Sequence, residues 1–234
     1  MSAVTLRFHG PLNDFLPAGR REVAFTHPLL QPCSVKDLIE SLGPPHPEVD
    51  VVRVDGQPVD FSHRVLDGQH IDVYPLQVGA SPPGEPRFLL DVGLGKLAPL
   101  LRMLGFDTDW RNDFADDVLA RRSHDEQRIL LTRDLGVLKR SEVVYGYFPR
   151  ETDPTRQLPE VVRRYGLVRH MRPFTRCLAC NTPLAAASVE EVRGRVPERV
   201  LASYSRFQHC PGCQRVYWEG SHHERMKAVI DSLV

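Results

Sequence analysis

Two short apolar runs, each followed by an acid, decide the fold: Phe88-Leu-Leu-Asp91 and Ile129-Leu-Leu-Thr132, the second with Asp134 close behind. We predict a buried strand in each run, because short apolar stretches bounded by polar residues are typical of strands. A helical pattern follows the first run as far as Leu104, and a second helix is predicted over residues 116–127. Strands that alternate with helices predict an α/β fold with a parallel sheet.

Each of these strands is expected to deliver a carboxylate to the same edge of the sheet, because the carboxyl ends of parallel strands meet there. Asp91 follows the first strand and Asp134 the second, while Asp116 and Asp117 would lie in the first turn of the helix between them. Clustered carboxylates repel one another unless a divalent cation neutralises them, and hard oxygen ligands favour Mg²⁺ or Mn²⁺. Such a cation is the catalytic tool of many phosphodiesterases. The alternative is that Asp116 only caps a helix and Asp134 only starts a turn.

Four of the five cysteines form two C-x-x-C pairs, Cys177 with Cys180 and Cys210 with Cys213, and 29 residues separate the pairs. This spacing suits four thiolates around a tetrahedral Zn²⁺, which would be structural because no position remains for water. The alternative is a disulfide framework, which normally belongs to small secreted domains. Cys33 is predicted to be an ordinary partly buried residue rather than a nucleophile. The reserve ligands for the metal are His209, His222 and His223.

The charge is balanced overall but not along the chain. Residues 1–86 carry 6 Lys and Arg against 11 Asp and Glu, and residues 87–234 carry 24 against 19. Within the basic part, residues 161–176 contain five arginines and no acid, and arginine suits phosphate because its planar fork donates two hydrogen bonds at once. With aromatic residues interleaved, this stretch is a candidate for binding single-stranded RNA, and the alternative is a solvated face. The candidate RNA-binding residues are Arg163, Arg164, Arg172, Arg176, Lys96 and Arg133.

The first 76 residues predict a small α+β sheet with one crossing helix. Strands are expected at 4–8, 21–25, 51–54 and 70–74, and Ser34 and Gly43 bound a helix at 35–42. Residues 77–86 hold three prolines and two glycines and are predicted to be a linker. We therefore expect four segments: a β-grasp-like domain at 1–76, the linker at 77–86, an α/β domain at 87–168 and a zinc-binding tail at 169–234.

Several motifs follow one another in a specific order after the linker. The α/β part contains Asp91-Val-Gly-Leu-Gly-Lys-Leu-Ala, Leu101-Arg-Met-Leu-Gly-Phe-Asp107-Thr, Asp116-Asp-Val-Leu and Arg128-Ile-Leu-Leu-Thr-Arg-Asp134. The tail contains Arg172-Pro-Phe-Thr-Arg-Cys177-Leu-Ala-Cys180-Asn, Cys210-Pro-Gly-Cys213 and Tyr217-Trp-Glu-Gly-Ser-His222-His223-Glu-Arg-Met. Together they resemble the Mut-seven C-terminal ribonuclease family, a branch of the PIN-like nucleases that ends in a zinc ribbon.

The resemblance implies a PIN-like fold in which Asp91, Asp116 and Asp134 bind the catalytic metal, with Asp117 as the alternate for the middle position. Many relatives have an Arg-aromatic pair where Pro99-Leu100 stands here, so the start of the first helix differs. The fourth acid common at PIN-like sites would be one of Asp107, Asp109 and Asp113. The N-terminal part resembles the ubiquitin-like β-grasp domain that often precedes this family. It runs into a linker and has no free Gly-Gly end, so a protein-docking or regulatory role is expected rather than sulfur transfer.

These observations predict a metal-dependent ribonuclease that requires Zn²⁺ for folding and Mg²⁺ or Mn²⁺ for catalysis. Its expected partners are RNA, with tRNA among the candidates, and a protein that contacts the β-grasp domain. The alternative is a noncatalytic RNA-binding or adaptor protein on the same scaffold. No run of about 18 apolar residues is present and the first ten residues include Arg7 and His9, so we expect a cytoplasmic protein without a membrane partner.

Overall fold

The computed structural model of the protein describes residues 2–80 and 84–234. The described residues form two compact units: one comprises those of Met1–Ala80 and Asp116–Phe148, and the other those of Ser81–Ala115 and Pro149–Val234. The four sequence-based segments stay a prediction. Residues 81–83 of the expected linker lie outside the described residues.

The N-terminal part is a five-stranded sheet with one helix. Its elements are β1 Ala3–Phe8, β2 Phe25–Pro28, α1 Val35–Leu42, β3 Val49–Val54, β4 Gln57–Val59 and β5 His70–Pro75. The strand order is β2-β1-β5-β3-β4, with β1 and β5 parallel and the other neighbours antiparallel. This confirms the predicted β-grasp-like region.

The helix of this region begins and ends where the sequence predicts. Ser34 and Asp37 form a reciprocal capping box at its start. Gly43 ends it at φ 133°, where a Cβ atom would collide with the carbonyl oxygen of Phe15. Leu38 on the buried face of α1 packs into the apolar core of the sheet.

The strand predicted at 21–25 is wrong, because β2 begins only at Phe25. Glu22 has a φ of 57°, a left-handed conformation that no strand residue adopts. Its N–H donates to the side-chain oxygen of Asn13, and the Arg21 guanidinium donates to the Leu16 carbonyl. These local hydrogen bonds turn the chain before the strand starts.

The α/β part is divided between the two units. The second unit contains β6 Arg87–Leu90, α2 Ala98–Met103 and β7 Asp107–Trp110, and β6 pairs with β7 in parallel. The first unit contains α3 Asp116–Asp125, β8 Ile129–Leu131, α4 Leu135–Leu138 and β9 Gly146–Tyr147, and β8 pairs with β9 in parallel. Pro99 lies in the first turn of α2, where the missing N–H costs nothing. The predicted α/β class with parallel strands is confirmed.

The remaining residues add α5 Pro154–Tyr165 and a small C-terminal domain. That domain contains β10 Ala185–Ala187, α6 Val189–Val192, α7 Glu198–Ser203, β11 Phe207–His209, β12 Val216–Trp218 and α8 Ser221–Asp231. Strands β10, β11 and β12 form an antiparallel sheet in that order. Every helix in the described ranges is too short or too polar to cross a lipid bilayer.

Within the first unit, the β-grasp region packs against the segment that ends at Phe148. The buried carboxylate of Glu48 accepts a hydrogen bond of 2.8 Å from the Phe148 N–H. The Lys139 ammonium donates to the carbonyl of Glu40 at 2.6 Å, and the rings of Phe15 and Phe148 meet edge to face at 5.7 Å. The β-grasp region therefore stabilises the chain that follows β8.

We expect Glu48→Ala to lower the free energy of unfolding by about 2 kcal/mol, because the partly buried Phe148 N–H loses its acceptor. Glu48→Gln keeps an acceptor oxygen and should cost about 1 kcal/mol or less. Urea denaturation measures both, with Asp125→Ala as a control that removes an exposed carboxylate of the same unit. Equal stabilities of Glu48→Ala and Asp125→Ala would contradict the bracing role of Glu48.

Candidate metal centres and RNA-binding surface

The four paired cysteines come together in one cluster, as the sequence predicts. Their Sγ atoms all lie within 4.8 Å of one another. Across the two pairs, the Sγ atoms lie 3.5 Å apart from Cys177 to Cys213 and 3.3 Å apart from Cys180 to Cys210. Zinc–sulfur bonds of about 2.3 Å place tetrahedral sulfurs roughly 3.8 Å apart, so the donor set fits one structural Zn²⁺. The reserve histidines are not members of this cluster.

Two similar turns present the thiols. In each turn the residue after the second cysteine donates its N–H to the carbonyl of the first cysteine: Asn181 to Cys177, and Gln214 to Cys210. Asn181 and Gln214 both have left-handed backbones, with φ of 69° and 65°. Asparagine tolerates this conformation better than most residues. The repeated turn explains why the chain needs the C-x-x-C spacing twice.

The surroundings of the thiols lower the pKa at two positions, Cys177 and Cys180. Burial raises the pKa of the Cys180 thiol, but hydrogen bonds with Thr182 and with neighbouring thiols outweigh it and lower that pKa to about 6. The Tyr217 hydroxyl lies 3.1 Å from the Cys177 Sγ atom, and burial with this contact raises the pKa of Tyr217. Tyr217 therefore stays protonated beside the sulfur ligands.

A buried arginine attaches the cysteine cluster to the α/β part of the second unit. Arg102 in α2 is 4% exposed, and its Nε donates to the Thr108 carbonyl at 3.0 Å. Its Nη1 donates to the carbonyls of Leu178 and Ala179, at 3.1 and 2.9 Å, inside the first cysteine turn. Burial lowers the pKa of Arg102, yet an arginine remains charged in proteins. One guanidinium thus joins α2, β7 and the metal-binding loop.

Asn181 makes the reciprocal connection from the cysteine turn to β7. Its side-chain oxygen accepts from the Thr108 N–H at 3.0 Å, and its amide nitrogen donates to the Asp107 carboxylate at 2.8 Å. Arg176 donates to the carbonyls of Gly105 and Asn181 beside it. The first cysteine turn is therefore held to the start of β7 by side chains from both partners.

Gly105 permits the chain before the first cysteine to approach α2. It has a φ of 94°, and a Cβ atom there would collide with the carbonyl of Arg172. The Arg172 N–H bonds to the Leu104 carbonyl, and the Phe174 N–H bonds to the Met103 carbonyl. The sequence motif around Gly105 thus reflects a close backbone contact.

Asp91 lies directly after β6, as predicted. Its Oδ1 accepts a hydrogen bond of 2.5 Å from the Val92 N–H, and the residue is partly exposed. Gly95 lies in the next turn. A residue with a Cβ atom does not fit there, because the ring of Trp110 occupies that space. The indole N–H of Trp110 donates to the Val92 carbonyl at 3.3 Å. These contacts hold the loop that carries Asp91.

The other predicted acids belong to the first unit. Asp116 and Asp117 are exposed in the first turn of α3, and Asp117 forms an ion pair of 2.8 Å with Arg121. Asp134 caps α4, since its Oδ1 accepts from the N–H groups of Gly136 and Val137. Within the described chain, neither the Asp116 side chain nor Asp134 Oδ2 has another hydrogen-bond partner.

These acids have the chemistry of a hard-cation site. Each offers carboxylate oxygens that solvent reaches, and such oxygens fit Mg²⁺ or Mn²⁺. Asp91 lies in one unit, and Asp116 and Asp134 lie in the other. Their shared metal site stays a prediction.

The three candidates for a fourth acid have different surroundings. Asp107 accepts from Asn181 and lies 3.9 Å from the Arg176 guanidinium. Asp109 acts electrostatically on Arg102. The guanidinium of Arg111 donates two hydrogen bonds to Asp113, which lower the pKa of that carboxyl. Asp107 therefore has a structural function at the cysteine turn.

The predicted RNA-binding residues fall into two groups according to their contacts. Arg163 and Lys96 are exposed, Arg172 forms an exposed ion pair with Glu85 at 3.0 Å, and the Arg133 guanidinium lies 5.2 Å from the centre of the Phe148 ring. Two further candidates have structural partners: Arg164 lies against the Tyr165 ring, and Arg176 holds the cysteine turn.

Sequence reasoning missed the functions of Arg102 and Asn181. Arg102 interrupts an otherwise apolar helical stretch, Ala-Pro-Leu-Leu-Arg-Met, which is the available signal of a buried, satisfied charge. Asn181 follows a C-x-x-C pair directly, and this position favours a residue that tolerates a left-handed backbone. Both belong to motifs that carry the family resemblance.

Comparison with known families agrees with this arrangement. A sequence model of the Mut7-C RNAse domain family matches residues 86–230, more than half of the chain. A model of the Mut7-C ubiquitin family matches residues 1–80. No curated protein and no solved structure gives a significant match. The two family matches confirm the resemblance stated from the motifs.

Replacing a cluster ligand should remove the zinc and unfold the C-terminal domain. We expect Cys210→Ser to abolish binding of about one Zn²⁺ per chain, because three thiolates leave the tetrahedral site incomplete. Plasma emission spectroscopy measures the metal, and circular dichroism measures the loss of structure. Cys33→Ser is the control, since Cys33 packs in the β-grasp core. Equal zinc content in both variants would refute the assignment.

Removing the buried guanidinium should detach the cysteine turn from α2. We expect Arg102→Met to lower the free energy of unfolding by about 3 kcal/mol, because three carbonyls lose charged donors. Arg225→Met, an exposed change in α8, should alter stability by less than about 0.5 kcal/mol. Urea denaturation of the zinc-loaded protein compares them, and a neutral effect of Arg102→Met would be the contrary result.

Proposed function

This chain belongs to the Mut7-C RNAse domain family, and from that premise we propose that it is a metal-dependent ribonuclease. The observation that carries the proposal is the family match over 86–230 together with an acid directly behind β6 and another behind β8. The substrate would be an RNA phosphodiester, and tRNA is one candidate. Hydrolysis at such a bond requires charge stabilisation more than covalent chemistry by the protein.

We assign metal binding to Asp91, Asp116 and Asp134. A bound Mg²⁺ or Mn²⁺ supplies an activated water and stabilises negative charge on the phosphate oxygens. Asp134 would bind through Oδ2 while Oδ1 continues to cap α4. Asp117 is the less suitable middle ligand, because its carboxylate already pairs with Arg121.

Cationic side chains would hold the RNA. Arg163 and Lys96 are exposed and carry the charge needed to contact phosphates. Arg172 would exchange its ion pair with Glu85 for a phosphate, a low cost because both partners are exposed to solvent. Arg176 and Arg164 contribute mainly to the shape of the surface, because protein groups already contact them.

A specific observation favours the noncatalytic alternative. Asp134 and Asp91 each accept a backbone N–H at the start of a helix, which is the ordinary function of such residues. An RNA-binding adaptor could retain both acids for that reason alone. Replacing these carboxylates with carboxamides distinguishes the two functions. A ribonuclease would lose its cleavage activity, whereas an adaptor has no cleavage to lose.

The β-grasp region is proposed to contact a protein. Leu30 is 93% exposed and borders a groove of about 240 Å³ lined by Cys33 and Leu38. The contacts of Glu40 and Glu48 with residues 139–148 show that removing the whole region would also disturb the α/β part. A surface change such as Leu30→Asp is therefore a cleaner test of docking than deletion.

Replacing two acids should separate catalysis from binding. We expect Asp91→Asn with Asp134→Asn to reduce Mn²⁺-dependent cleavage of an RNA pool that includes tRNA by at least about a hundredfold, because the amides weaken the metal site. Zinc content and folding should not change, since asparagine also caps helices. Asp125→Asn, exposed in α3, is the matched control. If the native chain binds the RNA but does not cleave it, the noncatalytic adaptor is supported instead.

A further inference from the structure

In the small antiparallel sheet of the C-terminal domain, one face packs against helices in an apolar core and the other does not. One row of cross-strand neighbours, Ala187, Phe207 and Trp218, packs with α6 and α7 in an apolar core. The alternating row consists of Ala186, Gln208 and Tyr217. A methyl group and an amide fill little volume, so this second face leaves space beside the sheet.

That space is a cavity of about 590 Å³, here called the ribbon pocket. Phe174, Leu178, His223 and Met226 line it together with residues of the sheet. The rings of Phe174 and His223 lie with centroids 4.2 Å apart and are tilted by 38° to each other. The volume is within the range of pockets that hold small ligands, roughly 300 to 1,000 Å³.

The polar groups of the ribbon pocket are available for a ligand. The side chains of Gln208 and Arg206 line it, and neither makes a hydrogen bond or ion pair with another residue of the described chain. The amide of Gln208 has both a donor and an acceptor, and this combination can form hydrogen bonds with the edge of a base. Arg206 supplies donors for a phosphate.

We propose that the ribbon pocket binds one unpaired nucleotide of an RNA strand. Aromatic rings stack on the flat face of any base, and Arg206 in the lining supplies a positive charge. The lining is continuous in sequence with the basic stretch, because Phe174 and Arg176 belong to both. The proposal rests on the RNA-directed function proposed above and names the part of the RNA that the C-terminal domain recognises.

The test fills the ribbon pocket from the sheet side. Ala186→Phe places a ring in the cavity, while Ala202→Phe adds the same ring on the exposed surface of α7. The probe is a fluorescent single-stranded 2′-O-methyl RNA of about ten nucleotides, mixed with zinc-loaded protein without added Mg²⁺ or Mn²⁺. Fluorescence anisotropy gives Kd. We expect Ala186→Phe to weaken binding about tenfold or more, and Ala202→Phe to leave it unchanged.

Side-chain variants and a duplex probe test the mode of binding. Gln208→Leu and Arg206→Met should each weaken binding severalfold, whereas Arg199→Met on α7 should not. A blunt duplex of the same sequence offers no unpaired base, so its affinity should not respond to Ala186→Phe. Equal sensitivity of strand and duplex, or no effect of Ala186→Phe on the strand, would overturn the proposal.

The outcomes also separate this inference from the proposed ribonuclease. If the native chain cleaves RNA but Ala186→Phe binds as tightly as the control, the ribbon pocket is refuted and the nuclease stands. If the native chain binds the strand through the pocket but does not cleave RNA with Mn²⁺, the pocket stands and the nuclease fails. If it binds no single strand, the pocket proposal fails and the cleavage assay decides the function by itself.

Discussion

The buried guanidinium of Arg102 is the interaction on which the second unit depends. It donates to the Thr108 carbonyl in β7 and to two carbonyls inside the first cysteine turn. Removing a charge from water is costly unless its donors find acceptors, and here three carbonyls accept from Nε and Nη1. Because those carbonyls belong to chain segments more than 60 residues apart, their arrangement requires the folded metal-binding loop.

The buried guanidinium of Arg102 and the cysteine turns depend on each other. A zinc ion held by the four thiols would close the two cysteine turns, and the left-handed Asn181 in the first turn directs its side chain to Asp107 and the Thr108 N–H. Loss of the metal would therefore release the partners of Arg102 as well as the small sheet. The C-terminal domain is in this sense a structural extension of the α/β part, and the family match over 86–230 covers both.

The sequence predicted those features that follow from local chemistry. The N-cap at Ser34 and the two C-x-x-C pairs are short-range patterns, and each appears in the structure as predicted. The missed strands β7 and β9 are short, and β7 carries two acids, so neither has an apolar period. Glu22 shows the opposite error: a strand-like stretch is turned by a hydrogen bond to the side chain of Asn13, a contact that no periodicity reveals. The function of Arg102 depends on tertiary neighbours for the same reason.

We propose that the carboxylates bind a divalent cation distinct from the structural zinc. Electron paramagnetic resonance of Mn²⁺ titrated into zinc-loaded protein tests this binding directly, because free Mn²⁺ gives a signal that diminishes on binding. We expect saturable Mn²⁺ binding in the native chain that Asp134→Asn weakens by at least about tenfold, with zinc retained. Binding that is absent, or identical in Asp134→Asn, would contradict it.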